Sequence, residues 1–211
     1  MSIAQASQPT WRTKPWQTIL IFGALLWVIY GAGSFTFDYF AGGATEAFGV
    51  WPDVGGVGMF FVYVLSFFIT LVVVLPILIV RRFGVGLAVY LPYAITGLYF
   101  EYYYDLVASP NLASFWGVIG WCILGLLIGL SADLAYRFLP AIFSERLRAI
   151  AAGVVMALTN FILVGVALSF FYVSPQTGTG SFLGVAYYGL PLMLLNGGFA
   201  GYTAYAISRN V

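Results

Sequence analysis

The stretch Ser174-Pro175-Gln176-Thr177-Gly178-Thr179-Gly180-Ser181 decides how this chain folds. It interrupts a run of 60 residues, 149–208, that carries no charged side chain. A helix needs about 20 apolar residues to cross the roughly 30 Å hydrocarbon layer of a bilayer, so the run is too long for one crossing. Its Ser, Pro, Gly and Thr cluster is rich in turn formers and too polar for the bilayer centre, which splits the run into two spans. Working back toward the N-terminus, the uncharged gaps are 106–132, 83–100, 54–80 and 15–37, each long enough for one span. The expectation is an all-α polytopic membrane protein. It is a six-transmembrane-helix bundle, with helices at about 16–37, 57–80, 84–105, 114–138, 149–173 and 183–207, forming one integral membrane domain over 1–211.

Composition agrees. Of 211 residues 62% are apolar and 7% charged, against about 25% charged in an ordinary soluble domain. The alternation of an outer-membrane barrel is absent, and lipid tolerates no open sheet edge. Pro15 beside Trp16 reads as the interfacial start of a retained first helix rather than as part of a cleaved leader. With no histidine and a single cysteine, Cys122, the usual ligands of zinc, haem and iron–sulfur groups and the usual acid–base catalyst are missing, so no cofactor is expected. A net charge of +1 gives no basic face for nucleic acid.

The charges that remain are sorted by side. Arg12, Lys14, Arg81, Arg82, Arg137, Arg146, Arg148 and Arg209 all fall at one end of the predicted bundle, with Asp133 and Glu145. Asp38, Glu46, Asp53, Glu101 and Asp105 fall at the other, with no basic residue. The positive-inside rule makes the first end cytoplasmic and places both termini inside a cell membrane.

The acidic end holds the candidate site. At helical spacing Gly97, Glu101 and Asp105 form one stripe, flanked by Tyr102, Tyr103 and Tyr104. Two carboxylates four apart repel by a few tenths of a kcal/mol, roughly, and a nearby cation reverses that sign. The first external loop adds further rings, among them Trp51. Aromatic faces attract cations by about 0.5–2 kcal/mol each and stack on flat heterocycles. One reading is a pocket for a small cationic or aromatic ligand; the other is that the acids follow topology and the rings form an interfacial belt.

Deeper in the predicted membrane, Thr159, Asn160 and Asn196 need hydrogen-bond partners, either on a neighbouring helix or at the floor of the same pocket. Small residues recur at spacing four: Gly125 and Gly129, Gly153 and Ala157, Gly197 and Gly201, Ala200 and Ala204. They read as close packing within the bundle rather than as a docking face. Pro76, Pro92 and Pro191 are expected to interrupt or bend their helices. Asp133 and Arg137, four apart at a helix exit, read as a solvated surface pair, with contact to a partner subunit as the other reading.

Several features together resemble one family. They are Arg81-Arg82-Phe83-Gly84 before the third span, an acid near that span's outer end, Gly129-Leu130-Ser131-Ala132-Asp133 closing the fourth, and Leu190-Pro191-Leu192-Met193-Leu194-Leu195-Asn196-Gly197-Gly198 in the sixth. This pattern looks like the substrate-binding S components of energy-coupling-factor vitamin transporters, most nearly the thiamine-precursor type. The resemblance implies capture of a vitamin near the outer face, with Glu101 and Tyr102 to Tyr104 at the ligand. It also implies a transmembrane coupling subunit, met through the small residues Gly23 and Ala24, and partner ATPases. The chain departs from that pattern where Trp27 and Val28 occupy the next expected small positions.

The expected function is therefore non-enzymatic: a membrane-embedded substrate-binding component of a transporter, with ligand contacts at Glu101, Asp105, Tyr102, Tyr104, Trp51, Asn160 and Asn196. No Gly-rich loop ending in Gly-Lys-Ser/Thr is present, so ATP would be used by partners. The alternative is an accessory or structural subunit of a larger membrane complex. An intramembrane enzyme using Glu101 or Asp105 as acid or base is a third reading, without a nucleophile or metal to accompany it.

Overall fold

The computed structural model describes residues 14–41, 55–101, 112–140, 142–167 and 180–210, with side chains described over 14–29, 64–95, 123, 125–140, 142–163 and 190–210. Among the described residues there are six helices and no strand: α1 (Pro15–Ala41), α2 (Gly55–Val80), α3 (Val85–Glu101), α4 (Leu112–Phe138), α5 (Glu145–Ala167) and α6 (Gly180–Ser208). The all-helical class and the helix order follow the sequence. Predicted ends at 102–105 and 168–173 lie outside the described residues.

α2 is the hub. It packs against each of the other five helices. The cause is in its sequence: Leu71-Val72-Val73-Val74-Leu75-Pro76-Ile77-Leu78-Ile79 has no polar face, and a helix apolar all round settles in the interior. Val73 and Val74 are fully buried and Ile77 and Leu78 nearly so. Around this hub α5 packs on α6, α3 on α4, and α1 along α2 and α3.

The glycines set how closely these pairs approach. A Cβ on Gly86 of α3 would fall on the Gly129 carbonyl oxygen of α4, and one on Gly129 would fall on that of Gly86. On α5 and α6, Gly153 faces the Gly197 carbonyl, Gly197 faces Gly153 and Ala157, and Gly201 faces the Ala149 carbonyl. The small residues at spacing four therefore close the interior of the bundle, as expected from their pattern. Gly23 is used the same way: it is buried, and a Cβ there would stand 2.9 Å from Pro92 Cγ of α3. Its surface is thus covered from within, which corrects the expectation that Gly23 meets another subunit; Ala24 is exposed. Pro76, Pro92 and Pro191 all lie inside continuous helices.

Large apolar side chains also stand on the outside of the bundle. Leu20 and Ile21 on α1, Phe68 on α2, Leu91 on α3, Ile123 on α4, and Leu192 and Leu195 on α6 are all exposed. By length and composition, Glu145–Leu163 is the one stretch long and apolar enough to cross a membrane among the residues whose side chains are described. Pro15–Ile29, Val64–Val80 and Val85–Ile95 are shorter apolar stretches.

Candidate functional site

At the acidic end, Glu101 is the last residue of α3. Its side chain lies outside the described residues, as do Trp51, Tyr102, Tyr104 and Asp105. Asn160 on α5 and Asn196 on α6 are both half-buried. Gly197 sits against Gly153 and Ala157, so this antiparallel register places Asn160 about 6 Å further along the axis than Asn196, toward the Glu101 end.

The basic end carries a polar network anchored by Asp133. This residue is 1% exposed, which corrects its reading as a solvated partner of Arg137. Its Oδ2 accepts hydrogen bonds from the Gly86 amide at 2.8 Å and, more weakly, from the Leu87 amide at 3.4 Å. The first N–H groups of a helix have no intrahelical acceptor. In α3 the residues just before the helix, Arg82-Phe83-Gly84, contain no Ser, Thr, Asp or Asn to supply one. Gly84 accepts the first helical bond, from the Ala88 amide at 2.9 Å, so Gly86 and Leu87 occupy the second and third helical positions, those an N-cap side chain ordinarily serves. Asp133 is an N-cap delivered from another helix. Its charge also faces the positive end of the α3 dipole. Asp133 Oδ1 has no hydrogen-bond partner among the described residues. The approach is possible because Gly86 and Gly129 bring the two backbones together; a Cβ on Gly86 would stand 3.1 Å from Oδ2.

Arg137 turns elsewhere. It donates to the Arg81 carbonyl at 3.2 Å and lies 5.7 Å from the Phe83 ring centroid. Arg81 ends α2 in the left-handed region, with φ +55°, followed by Gly84 at +85°. That reversal aims Arg81 Nη2 at Glu145 Oε1, 2.7 Å away at the start of α5. Glu145 Oε1 also accepts from the Tyr136 hydroxyl at 3.3 Å. Arg148 donates to the Tyr136 carbonyl at 2.9 Å and covers the same ring at 4.5 Å. The α2–α3 turn, the end of α4 and the start of α5 are thus tied together. α5 begins at Glu145 rather than near 149 because Ser144 Oγ accepts from the Leu147 amide at 3.3 Å and caps it.

The residues that sequence reasoning missed are Asp133 as a cap and Arg146 as a stacked cation, 4.8 Å over the Tyr202 ring of α6. The signal for the first was present: a helix start lacking its own cap, and an acid set among Leu130, Ala132, Leu134 and Ala135.

Comparison with family models, with curated proteins and with solved structures finds no match to this chain.

Proposed function

We propose that this chain is a six-span membrane protein serving as the substrate-binding component of a transporter for a small cationic or aromatic nutrient, with partner ATPase subunits supplying energy. The observation that carries the reading is the polarity of α3. Its first turn is locked to α4 by Asp133 at the arginine-rich end, and Glu101, with the Tyr102 to Asp105 segment following it in sequence, stands at the opposite end. A helix fixed at one end by a buried carboxylate is a rigid support for a binding residue at the other.

Membrane embedding is supported by the apolar exterior and by helix lengths of 27, 26, 27 and 29 residues in α1, α2, α4 and α6, about 40 Å each and enough to cross the hydrocarbon layer. The arginine-rich end is then cytoplasmic and the acidic end external.

Thermal unfolding of the purified protein with thiamine or hydroxymethylpyrimidine tests this function. A ligand that binds the folded state raises the midpoint, and Glu101→Gln abolishes the rise. A rise unchanged in that variant removes Glu101 from the site. Recovery with large membrane subunits and no ATPase would identify an accessory subunit instead.

A further inference from the structure

Two stripes lie side by side on the outside of α5 and α6. Arg146, Ile150 and Val154 recur at spacing four on α5, and Leu195, Gly198 and Tyr202 at spacing three and four on α6, so each set shares a helix face. Contacts join them. Arg146 covers the Tyr202 ring at 4.8 Å, and Val154 Cγ2 and Ile150 Cγ2 stand 3.4 and 3.8 Å from where a Gly198 Cβ would be. Gly198 has no side chain between the stripes, and Leu195, 70% exposed, stands one turn further along α6. From Arg146 to Val154 the groove runs about 12 Å along the helix.

Its head is positive and uncompensated. Glu145, the acid beside it, is engaged by Arg81 at 2.7 Å and by the Tyr136 hydroxyl at 3.3 Å. Arg148 is turned inward to the Tyr136 carbonyl. Arg146 makes no hydrogen bond or ion pair among the described residues. A guanidinium held over a ring face leaves its N–H donors unused by that contact, and arginine donors suit a phosphate.

We infer that this groove binds a diacyl phospholipid with an anionic headgroup, its phosphate on Arg146 and an acyl chain over Gly198 between Ile150, Val154 and Leu195. Charge complementarity between Arg146 and a phosphate, with the apolar side chains of Ile150, Val154 and Leu195 following it along the helices, favours a lipid over a partner helix. The inference rests on the membrane embedding proposed above.

The test uses the full chain in neutral detergent, with phosphatidylglycerol or phosphatidylcholine of matched acyl chains added and the unfolding midpoint recorded. Phosphatidylglycerol raises the midpoint and phosphatidylcholine does not. Arg146→Gln weakens the half-saturating concentration about five- to tenfold, whereas Arg82→Gln, an exposed arginine in the α2–α3 turn, leaves it unchanged. Gly198→Leu also weakens it, because its Cβ meets α5 at ordinary contact distance while its outer carbons fill the channel. Equal losses in Arg146→Gln and Arg82→Gln, or the same rise with inorganic phosphate alone, overturn the site. Sodium carbonate washing of membranes separates the two ideas. Protein that stays in washed membranes while Arg146→Gln has no effect refutes the groove and leaves embedding intact, and protein released by the wash refutes both.

Discussion

The Asp133 carboxylate on α4 caps the first turn of α3, accepting the Gly86 amide hydrogen at 2.8 Å across 47 residues of sequence. The two helices are joined by a charged acceptor rather than by apolar contact alone. Asp133→Ala leaves the Gly86 and Leu87 amides without an acceptor in a buried site, a loss of about 1–3 kcal/mol. Asp133→Asn keeps a carbonyl oxygen at the cap and costs less. Thermal unfolding in detergent ranks them, and an Asp133→Ala protein as stable as the parent would refute the cap.

Glycine tolerance is expected to be graded along α4. A Cβ at Gly129 meets the Gly86 carbonyl carbon at 2.7 Å, a backbone atom that cannot step aside, whereas one at Gly125 meets the Tyr90 ring at 3.4 Å. Gly129→Ala costs about 1–3 kcal/mol by overpacking, and Gly125→Ala is milder. Melting temperatures of the two variants, measured side by side, check the order; equal values contradict it.

Arg81 combines two opposed effects. Its left-handed backbone costs an L-residue about 1 kcal/mol, while its exposed ion pair with Glu145 contributes about 0.2–1 kcal/mol. Arg81→Gly loses the pair but relieves the backbone; Arg81→Ala loses the pair and keeps the strain. Arg81→Gly is therefore the more stable of the two variants, measurable as a higher unfolding midpoint. The reverse order would show that the turn gains nothing from glycine.

The proposed orientation makes a direct prediction. Reporter fusions at Val211 and in the α2–α3 turn are active only in the cytoplasm, and a fusion within 42–54 only outside. Any fusion reporting from the wrong side reduces the number of spans.

Sequence and structure agree most closely where polarity changes abruptly. Arg81-Arg82 ends an apolar run, and α2 stops at Val80 with α3 starting at Val85, within a residue of expectation. α5 starts earlier than the uncharged run implies, because Ser144 opens a helical turn in the polar zone before the apolar run begins. Asp133 departs from its sequence reading for a related reason. Spacing along one helix pairs it with Arg137, but the amides that need it belong to a different helix, and that proximity depends on Gly86 meeting Gly129. Trans-capping is a tertiary fact with only an indirect trace in sequence. Of the expected ligand contacts, Asn160 and Asn196 lie about 6 Å apart along the helix axis, whereas Glu101, Asp105, Tyr102, Tyr104 and Trp51 have side chains outside the described residues.

The position of α2 bears on how the chain is made. Of the six described helices, the one that touches every other is made before α6, one of its main partners. If the chain spans a membrane as proposed, that valine-rich surface waits in lipid during synthesis for a neighbour not yet translated. Chains cut short before α6 would then carry a hub with one side unoccupied.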